Sequence, residues 1–262
     1  MRPERLSAAF STLLALLVVL ALAGCATGGN GGVRKEDAAS KRADAARVHT
    51  DLGQQYMRQG KFEVALEKLN KALSFDDSYV DAHTVIAVLY ERIGDLTKAE
   101  EHYRRAAQLK PKGGSENNNY GTFLCKIGRY DESQGYFEKA LADPFYQTPA
   151  VALANSGTCL LKAGRRDEAE KALRQALVLQ PENPEALLQL GTVLYDKGEY
   201  FNARAFVQRF EAKATPRPDA LLLGRNIELR LGNGSAAGDY TRRLLQGFPD
   251  SPQARSLSVQ GP

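Results

Sequence analysis

The sequence lacks the features that mark several large classes of protein. Its 262 residues contain no tryptophan and only three histidines and three cysteines. The 35 lysines and arginines nearly balance the 31 aspartates and glutamates and are spread along the chain, whereas a nucleic-acid binder usually carries a concentrated basic face. The proportions of hydrophobic residues (43%) and charged residues (25%) are typical of a folded soluble protein. This composition excludes collagen-like chains, disordered chains and membrane proteins with several spans, and we expect no nucleic-acid partner.

Catalytic signatures are also absent from the sequence. It contains no glycine-rich phosphate-binding loop and no HExxH, GxSxG or CxxC motif. A metal site would require His49 and His83 to converge with a carboxylate such as Asp51 or Asp81, and exposed or half-buried histidines on helices are the commoner case. The third histidine, His102, follows glutamates on a predicted helix. We therefore expect no enzyme activity, no cofactor, no metal site and no small-molecule substrate.

An uninterrupted apolar run lies near the N-terminus. Residues 13–23 read LLALLVVLALA and follow the basic residues Arg2 and Arg5. A helix that crosses a bilayer needs about 20 such residues, so this shorter run predicts the core of a secretory signal peptide. We place the signal peptide at residues 1–24.

The apolar run ends in Leu22-Ala23-Gly24-Cys25, which resembles the bacterial lipobox. The resemblance implies that Cys25 is lipidated and becomes the first residue after cleavage; the alternative is an ordinary signal peptide with an incidental cysteine. By the sorting rule of Gram-negative lipoproteins, alanine at position 26 favours export to the outer membrane. We expect a lipid-anchored, periplasm-facing protein in which residues 25–45 form a flexible tether, with glycine at 28, 29, 31 and 32. Residues 34–45 are expected to lead into the first helix.

Glycine recurs through the rest of the chain with a period of 34 residues. The successive spacings are 34, 34, 36, 34 and 34 for six glycines: Gly60, Gly94, Gly128, Gly164, Gly198 and Gly232. A small residue follows five positions after each of them, and a large residue follows nine positions after the first five. This pattern is typical of the tetratricopeptide repeat, a helix–turn–helix unit. We predict an all-α fold, a right-handed superhelix (α-solenoid) of six such repeats.

The period also sets the repeat boundaries. They fall at 46–79, 80–113, 114–147, 150–183, 184–217 and 218–251. Two extra residues lie between the third and fourth repeats, in the proline-containing segment 143–149, and favour a longer connection there. Residues 252–262 are predicted to be a frayed tail.

The two remaining cysteines, Cys125 and Cys159, are a disulfide candidate. They lie 34 residues apart on the first helices of the third and fourth repeats, in a chain that we expect to be exported to an oxidising compartment. Neighbouring helices pack about 8–10 Å apart, so a bridge across the seam is feasible. The alternative is a pair of buried thiols.

Repeat arrays of this kind bind partners in a concave groove lined by the first helices. By the usual register, the groove candidates are mostly polar or basic: Thr50, Gln54, Arg58, Thr84, Val88, Arg92, Asn118, Asn119, Thr122 and Asn155. Asn119 and Asn155 occupy the same repeat position, where an amide can pair with the backbone of an extended peptide. Alternatively, these amides are solvated or cap local backbone.

Three longer segments resemble the PilF/PilW family of type IV pilus biogenesis lipoproteins, the pilotins. They are ARVHTDLGQQYMRQGKFEVALEKLNKAL, NNNYGTFLCKIGRYDESQGYFEKAL and LLLGRNIELRLGNGSAAGDYTRRLLQGFPDS, and the likeness runs from about residue 46 to residue 251. The resemblance implies an outer-membrane lipoprotein of six repeats that binds the pilus secretin, a PilQ-like protein, and promotes its outer-membrane localisation and multimerisation. Some members of the family carry a cysteine pair in the middle repeats, which Cys125 and Cys159 match.

Two other functions remain open at this point. A tetratricopeptide-repeat lipoprotein with the same anchor and fold could instead regulate cell-wall synthesis or outer-membrane protein insertion. An enzyme with a helical-repeat body would need a catalytic cluster, and none is visible in the sequence.

Overall fold

The computed structural model describes residues 30–258, and the side chains of residues 38–257. The predicted signal peptide, the lipobox cysteine Cys25 and the first residues of the predicted tether lie outside this range. Between residues 30 and 258 the chain forms helices and short connections, with no β-strand. None of the helices in that range is both long and apolar enough to cross a membrane.

Thirteen helices follow one another in the described part of the chain. Their bounds are α1 Asn30–Arg58, α2 Phe62–Phe75, α3 Val80–Ile93, α4 Leu96–Leu109, α5 Gly114–Lys126, α6 Tyr130–Leu141, α7 Pro149–Lys162, α8 Arg166–Leu179, α9 Pro184–Asp196, α10 Tyr200–Glu211, α11 Pro218–Arg230, α12 Gly234–Gly247 and α13 Pro252–Ser258. Helices α1 to α12 form six successive pairs, one for each predicted repeat. The all-α class and the helix–turn–helix repeats are confirmed.

Each pair of helices is joined at a glycine with a left-handed backbone. The φ angles lie between 74° and 85° at all six periodic positions, which are Gly60, Gly94, Gly128, Gly164, Gly198 and Gly232. Residues that carry a Cβ are strained in this conformation, whereas glycine adopts it readily. The periodic glycine therefore ends the first helix of each repeat and lets the chain reverse.

Replacing one of these glycines should destabilise the protein through the backbone alone. A Cβ added to Gly164 would meet no atom within 4 Å, so the Gly164→Ala variant creates no steric clash with its surroundings. Its only cost is the backbone strain of an alanine at positive φ. We expect its free energy of unfolding to fall by about 1–2 kcal/mol in urea denaturation. Gly238→Ala is the matched control, because Gly238 lies inside α12 with the same open surroundings and an ordinary φ. Equal stability of the two variants would contradict the left-handed turn.

The first compact unit of the chain ends at Ala82 and contains α1, α2 and the first residues of α3. Ala65, Leu69 and Ala72 of α2 are fully buried. A Cβ added to Gly53 of α1 would lie 2.6 Å from Cγ of Leu69. Helices α1 and α2 therefore approach each other closely at a glycine that faces a leucine.

Helix α1 starts earlier than the sequence interpretation allows. The sequence predicts a flexible tether over residues 25–45 whose last part, residues 34–45, leads into the first helix. In the structure, residues 30–45 already belong to α1. Residues 33–45 contain no glycine or proline and are rich in alanine, lysine, arginine and acidic residues, most of them good helix formers. Arg42 also joins this segment to α2, since its Nε donates a hydrogen bond to the backbone oxygen of Phe75 at 3.0 Å. Gly31 and Gly32 lie within α1 and do not prevent the helix from forming.

The second compact unit starts at His83 and holds the remaining helix pairs. Its small periodic residues Ala99, Ser133, Ala169 and Ala203 have no exposed surface. The large periodic residues of the middle pairs lie over glycines of the preceding helix: Phe137 over Gly121, Leu173 over Gly157 and Val207 over Gly191, with 2.6–3.1 Å to a Cβ added at each glycine. This contact repeats from pair to pair and builds the continuous apolar core of α7 to α11.

The C-terminal residues are more ordered than the sequence interpretation expects. Residues 252–262 were predicted to fray, whereas Pro252–Ser258 form helix α13 and residues 259–262 lie outside the described range. The hydroxyl oxygen of Ser251 accepts a hydrogen bond from the backbone N–H of Ala254 at 3.1 Å, and proline is well suited to the first helical turn. Ala254 is buried against Leu221 and Leu244. Helix α13 therefore covers apolar surface of the last helix pair.

Candidate partner-binding surface

The groove candidates of the first unit differ in their accessibility. Thr50 is 2% exposed, and its hydroxyl donates to the backbone oxygen of Ala46 at 2.8 Å within α1. The prediction of Thr50 as a groove residue is therefore wrong, because a side chain with almost no exposed surface cannot contact a partner. Gln54 is half-buried and Arg58 is exposed, so these two remain available in this unit.

The candidates of the second unit lie on α3, α5 and α7. Thr84 and Val88 on α3 are half-buried, and Val88 packs partly against the apolar core. Arg92 and Thr122 are exposed, Asn119 and Asn155 are half-buried, and Asn118 is buried. This surface is therefore mainly polar, with a single apolar contributor among the predicted residues.

The amide of Asn155 lies at the centre of a polar cluster that joins α5 and α7. Its Nδ2 donates to Oδ1 of Asn118 at 3.0 Å and to Oγ1 of Thr122 at 3.2 Å. The Thr122 hydroxyl in turn donates to the backbone oxygen of Asn118 at 2.8 Å. Within the described chain, the amide nitrogen of Asn118 and the amide oxygen of Asn155 make no hydrogen bond. The nitrogen can donate and the oxygen can accept, so together they match the C=O and N–H of one peptide group. Asn118 is thus the groove candidate that contacts Asn155, although Asn119 is the residue that shares the repeat position of Asn155.

The charged side chains among the first helices differ in whether they are paired. Glu91 of α3 accepts a hydrogen bond from the Tyr103 hydroxyl at 2.8 Å and pairs with Lys126 Nζ at 2.7 Å. Burial, together with the hydrogen bond to Glu91, raises the pKa of the Tyr103 hydroxyl, so it stays protonated and donates. Neither Arg58 nor Arg92 has a carboxylate within ion-pair distance among the described residues. Each arginine therefore offers an unpaired positive charge to a partner.

The histidines do not form the metal site that the sequence analysis considered. In the first unit, the ring of His49 stacks on Phe75 with 5.5 Å between centroids. In the second unit, Nδ1 of His83 lies 2.9 Å from Nδ1 of His102, and burial and the neighbouring His83 lower the pKa of His102. Between residues 30 and 258 there is no group of three or more histidine, cysteine or acidic residues placed to hold a metal ion. The His83–His102 contact is not predictable from the sequence, because it depends on the packing of α3 against α4.

The structure joins Cys125 of α5 and Cys159 of α7 in a disulfide. Their Cα atoms are 5.7 Å apart, within the usual range for such a bond. Both cysteines are buried beside Phe137, and the Ser133 hydroxyl lies 3.2 Å from Sγ of Cys159. The bond holds together the two first helices that carry the Asn118, Thr122 and Asn155 side chains.

A cavity of about 590 Å³ lies in the first unit. Its walls come from α1 and from the end of α2, and they include Arg42, Ala43, Leu73 and Phe75. The cavity exists because the early residues of α1 are helical and pack beside α2. It is a second concave surface, separate from the predicted groove residues of this unit.

Comparisons with known proteins agree with this architecture. A sequence profile of the tetratricopeptide repeat family matches residues 50–114 and 155–220. The fold and its polar groove therefore define a tetratricopeptide-repeat protein, a class that generally provides binding scaffolds rather than catalysts.

Similarity to individual proteins narrows this class. The type IV pilus assembly protein PilF of Pseudomonas aeruginosa is 29% identical over 94% of this chain and 97% of its own length. The crystal structure of PilW, a widely conserved type IV pilus biogenesis factor, has a TM-score of 0.74 and 35% identity, and the match covers 81% of this chain and 97% of PilW. A solved structure of Pseudomonas aeruginosa PilF has the same TM-score of 0.74 at 27% identity, over 84% of this chain and 99% of that one. The chain belongs to the PilF/PilW family, and this membership supports a role in type IV pilus biogenesis.

Proposed function

We propose that the protein is a pilotin: an outer-membrane lipoprotein that binds the secretin of the type IV pilus and promotes its localisation and multimerisation. The observation that carries this proposal is the similarity to PilF over 94% of the chain, including the region of the predicted lipobox. The wider role in pilus biogenesis follows from the family. The secretin partner and the membrane anchor are the parts that need testing.

The anchor is assigned to Cys25. Each buried CH₂ of a lipid chain contributes about 0.8 kcal/mol to membrane binding, so a cysteine with several acyl chains anchors stably. An anchored adaptor holds its partner at high effective concentration near the membrane, and this favours assembly of a ring from separate subunits. The repeats then act from the periplasmic side.

In the second unit, the binding surface is assigned to the polar cluster on α5 and α7 and to the unpaired Arg92. In the first unit, Arg58 is a separate candidate contact. The free amide groups of Asn118 and Asn155 can hold one peptide group of an extended secretin segment. Arg58 and Arg92 can pair with acidic side chains of the same partner, because no carboxylate of the described chain neutralises them.

A deletion strain tests the function directly. We expect it to lose twitching motility and to hold its secretin as monomers, and we expect the wild-type gene to restore both. The Cys25→Ser variant should be released from the outer membrane and should fail to restore secretin rings. Normal secretin rings in the deletion strain would overturn the pilotin proposal. A defect in the cell wall or in porin assembly instead would favour the alternative regulatory lipoprotein.

Charge reversal tests the binding surface in the same strain. Arg58→Glu with Arg92→Glu should weaken secretin capture by about thirtyfold, since each of the two lost charge-assisted contacts is worth on the order of 1 kcal/mol. Arg104→Glu with Arg105→Glu is the matched control, because both arginines are exposed on the second helix α4. Equal capture by the two double variants would move the secretin site away from these arginines.

A further inference from the structure

The connection between the third and fourth repeats is a loop of fixed shape. Residues 142–148 join α6 to α7 and include the two residues that lengthen the period there. The two carboxylate oxygens of Asp143 accept hydrogen bonds from the backbone N–H groups of Gly114 at 2.8 Å and Phe145 at 2.9 Å. These bonds lower the pKa of Asp143, so the carboxylate is ionised at neutral pH. The Tyr146 ring packs on Gly114 and leaves no room for a Cβ at that position.

This loop presents an exposed aromatic side chain beside a cavity. Phe145 is 82% exposed, more than the other large apolar side chains of the described chain. A single exposed phenylalanine is common on protein surfaces and by itself indicates nothing. Here, however, a cavity of about 510 Å³ lies next to it, with apolar walls from Pro111, Ala142, Pro144 and Phe145 and charged walls that include Lys112 and Lys139.

The cavity carries a positive charge that the chain does not neutralise. Lys112 and Lys139 are exposed, and neither has a carboxylate within ion-pair distance among the described residues. Nζ of Lys139 lies 4.4 Å from the ring centroid of Tyr136, which holds the ammonium group near the cavity without cancelling its charge. Asp143 is the acidic residue of the lining, and its carboxylate offsets one of the two lysine charges, so the lining keeps a net charge of +1 (two lysines minus one aspartate).

We propose that this cavity is a second protein-binding site, which takes an acidic segment of a partner and receives one of its apolar side chains beside Phe145. The apolar walls fit a hydrophobic side chain, and the two free lysines fit flanking carboxylates. A lipid bilayer would satisfy the lysines, but its flat surface would leave the concave space empty. None of the lining residues is a predicted groove residue, so this site is distinct from the proposed secretin surface.

Fluorescence anisotropy with defined peptides tests this site on the purified full-length protein in detergent. The probe is a labelled peptide of aspartate and glutamate residues with one central leucine. It should bind about tenfold more tightly than the same peptide with serine at the centre, or one with lysines in place of its acids. Tighter binding of the lysine peptide, or equal binding of the serine peptide, would overturn the proposal.

Variants then locate the binding. The Phe145→Ser variant should bind the acidic leucine peptide about tenfold more weakly than the wild type does. The Lys112→Glu/Lys139→Glu double variant should show a loss of affinity of the same size. Phe201→Ser is the control for the exposed aromatic, and Lys71→Glu with Lys171→Glu is the control for charge, since Lys71 occupies the repeat position of Lys139 and also lies over an aromatic ring. Both controls should bind normally. If Phe145→Ser binds the peptide as tightly as the wild type, the interaction is non-specific charge attraction. If the protein binds anionic vesicles in a Phe145-dependent way but does not bind the peptide, the site is a membrane contact. Either result overturns the proposal.

Discussion

Removing the Cys125–Cys159 disulfide should lower the free energy of unfolding by about 3–4 kcal/mol. The bond links residues that are 34 positions apart, and its loss returns the freedom of that loop to the unfolded chain. The Cys125→Ala/Cys159→Ala variant removes it with small apolar replacements, which suits a site buried beside Phe137. Urea denaturation followed by far-ultraviolet circular dichroism measures the change.

A reducing agent provides the control for this variant. Reduction should shift the wild-type unfolding midpoint toward that of the double variant and should leave the midpoint of the double variant unchanged. Protein isolated from an oxidising compartment should contain neither of these two cysteines as a free thiol. Wild-type unfolding that does not respond to reduction would show that the bond contributes nothing to stability.

Gly157→Ala should lower the free energy of unfolding by about 1–3 kcal/mol, although it adds only a methyl group. A Cβ at this position would lie 2.6 Å from Cγ of Leu173 and 3.3 Å from the backbone oxygen of Ala169. Leu173 is fully buried, so it cannot turn toward solvent to make room. The methyl group therefore pushes α7 and α8 apart along their shared face.

The same substitution at Gly135 should have the opposite sign. Gly135 lies inside α6, has no atom within 4 Å of an added Cβ, and has an ordinary φ. Alanine is a better helix former than glycine, so Gly135→Ala should raise the free energy of unfolding by about 0.5–1 kcal/mol. Two variants with the same small effect in urea denaturation would contradict the close contact of α7 with α8.

The repeated part of the fold is predictable from the sequence, because it depends on local requirements for glycine and for small residues at fixed positions. A left-handed turn admits glycine and little else, and this constraint recurs in every helix pair from Gly60 to Gly232. A small residue is needed where two helices touch, as Ser133 and Ala169 show by their complete burial. Because the pattern occurs six times in register, it predicts the helix pairs without any knowledge of how they pack.

The ends and the contacts between helices are less predictable. The capping serine Ser251 and the following Pro252 are a readable helix signal, but one short helix outside the period is easily taken for a tail. The pairing of Asn155 with Asn118 depends on the offset between α5 and α7, which repeat spacing does not specify. Likewise, the cavity beside Phe145 requires the loop geometry that Asp143 fixes.

The disulfide affects how the second unit unfolds. In a repeat array each unit touches only its neighbours, so thermal fraying can begin at an end and spread one helix pair at a time. The Cys125–Cys159 bond joins the pairs on either side of the lengthened connection between α6 and α7. Fraying from the C-terminal end must therefore halt there or melt α5 through α8 as one cooperative block. The longest interruption of the period is thus also the joint that resists separation most strongly.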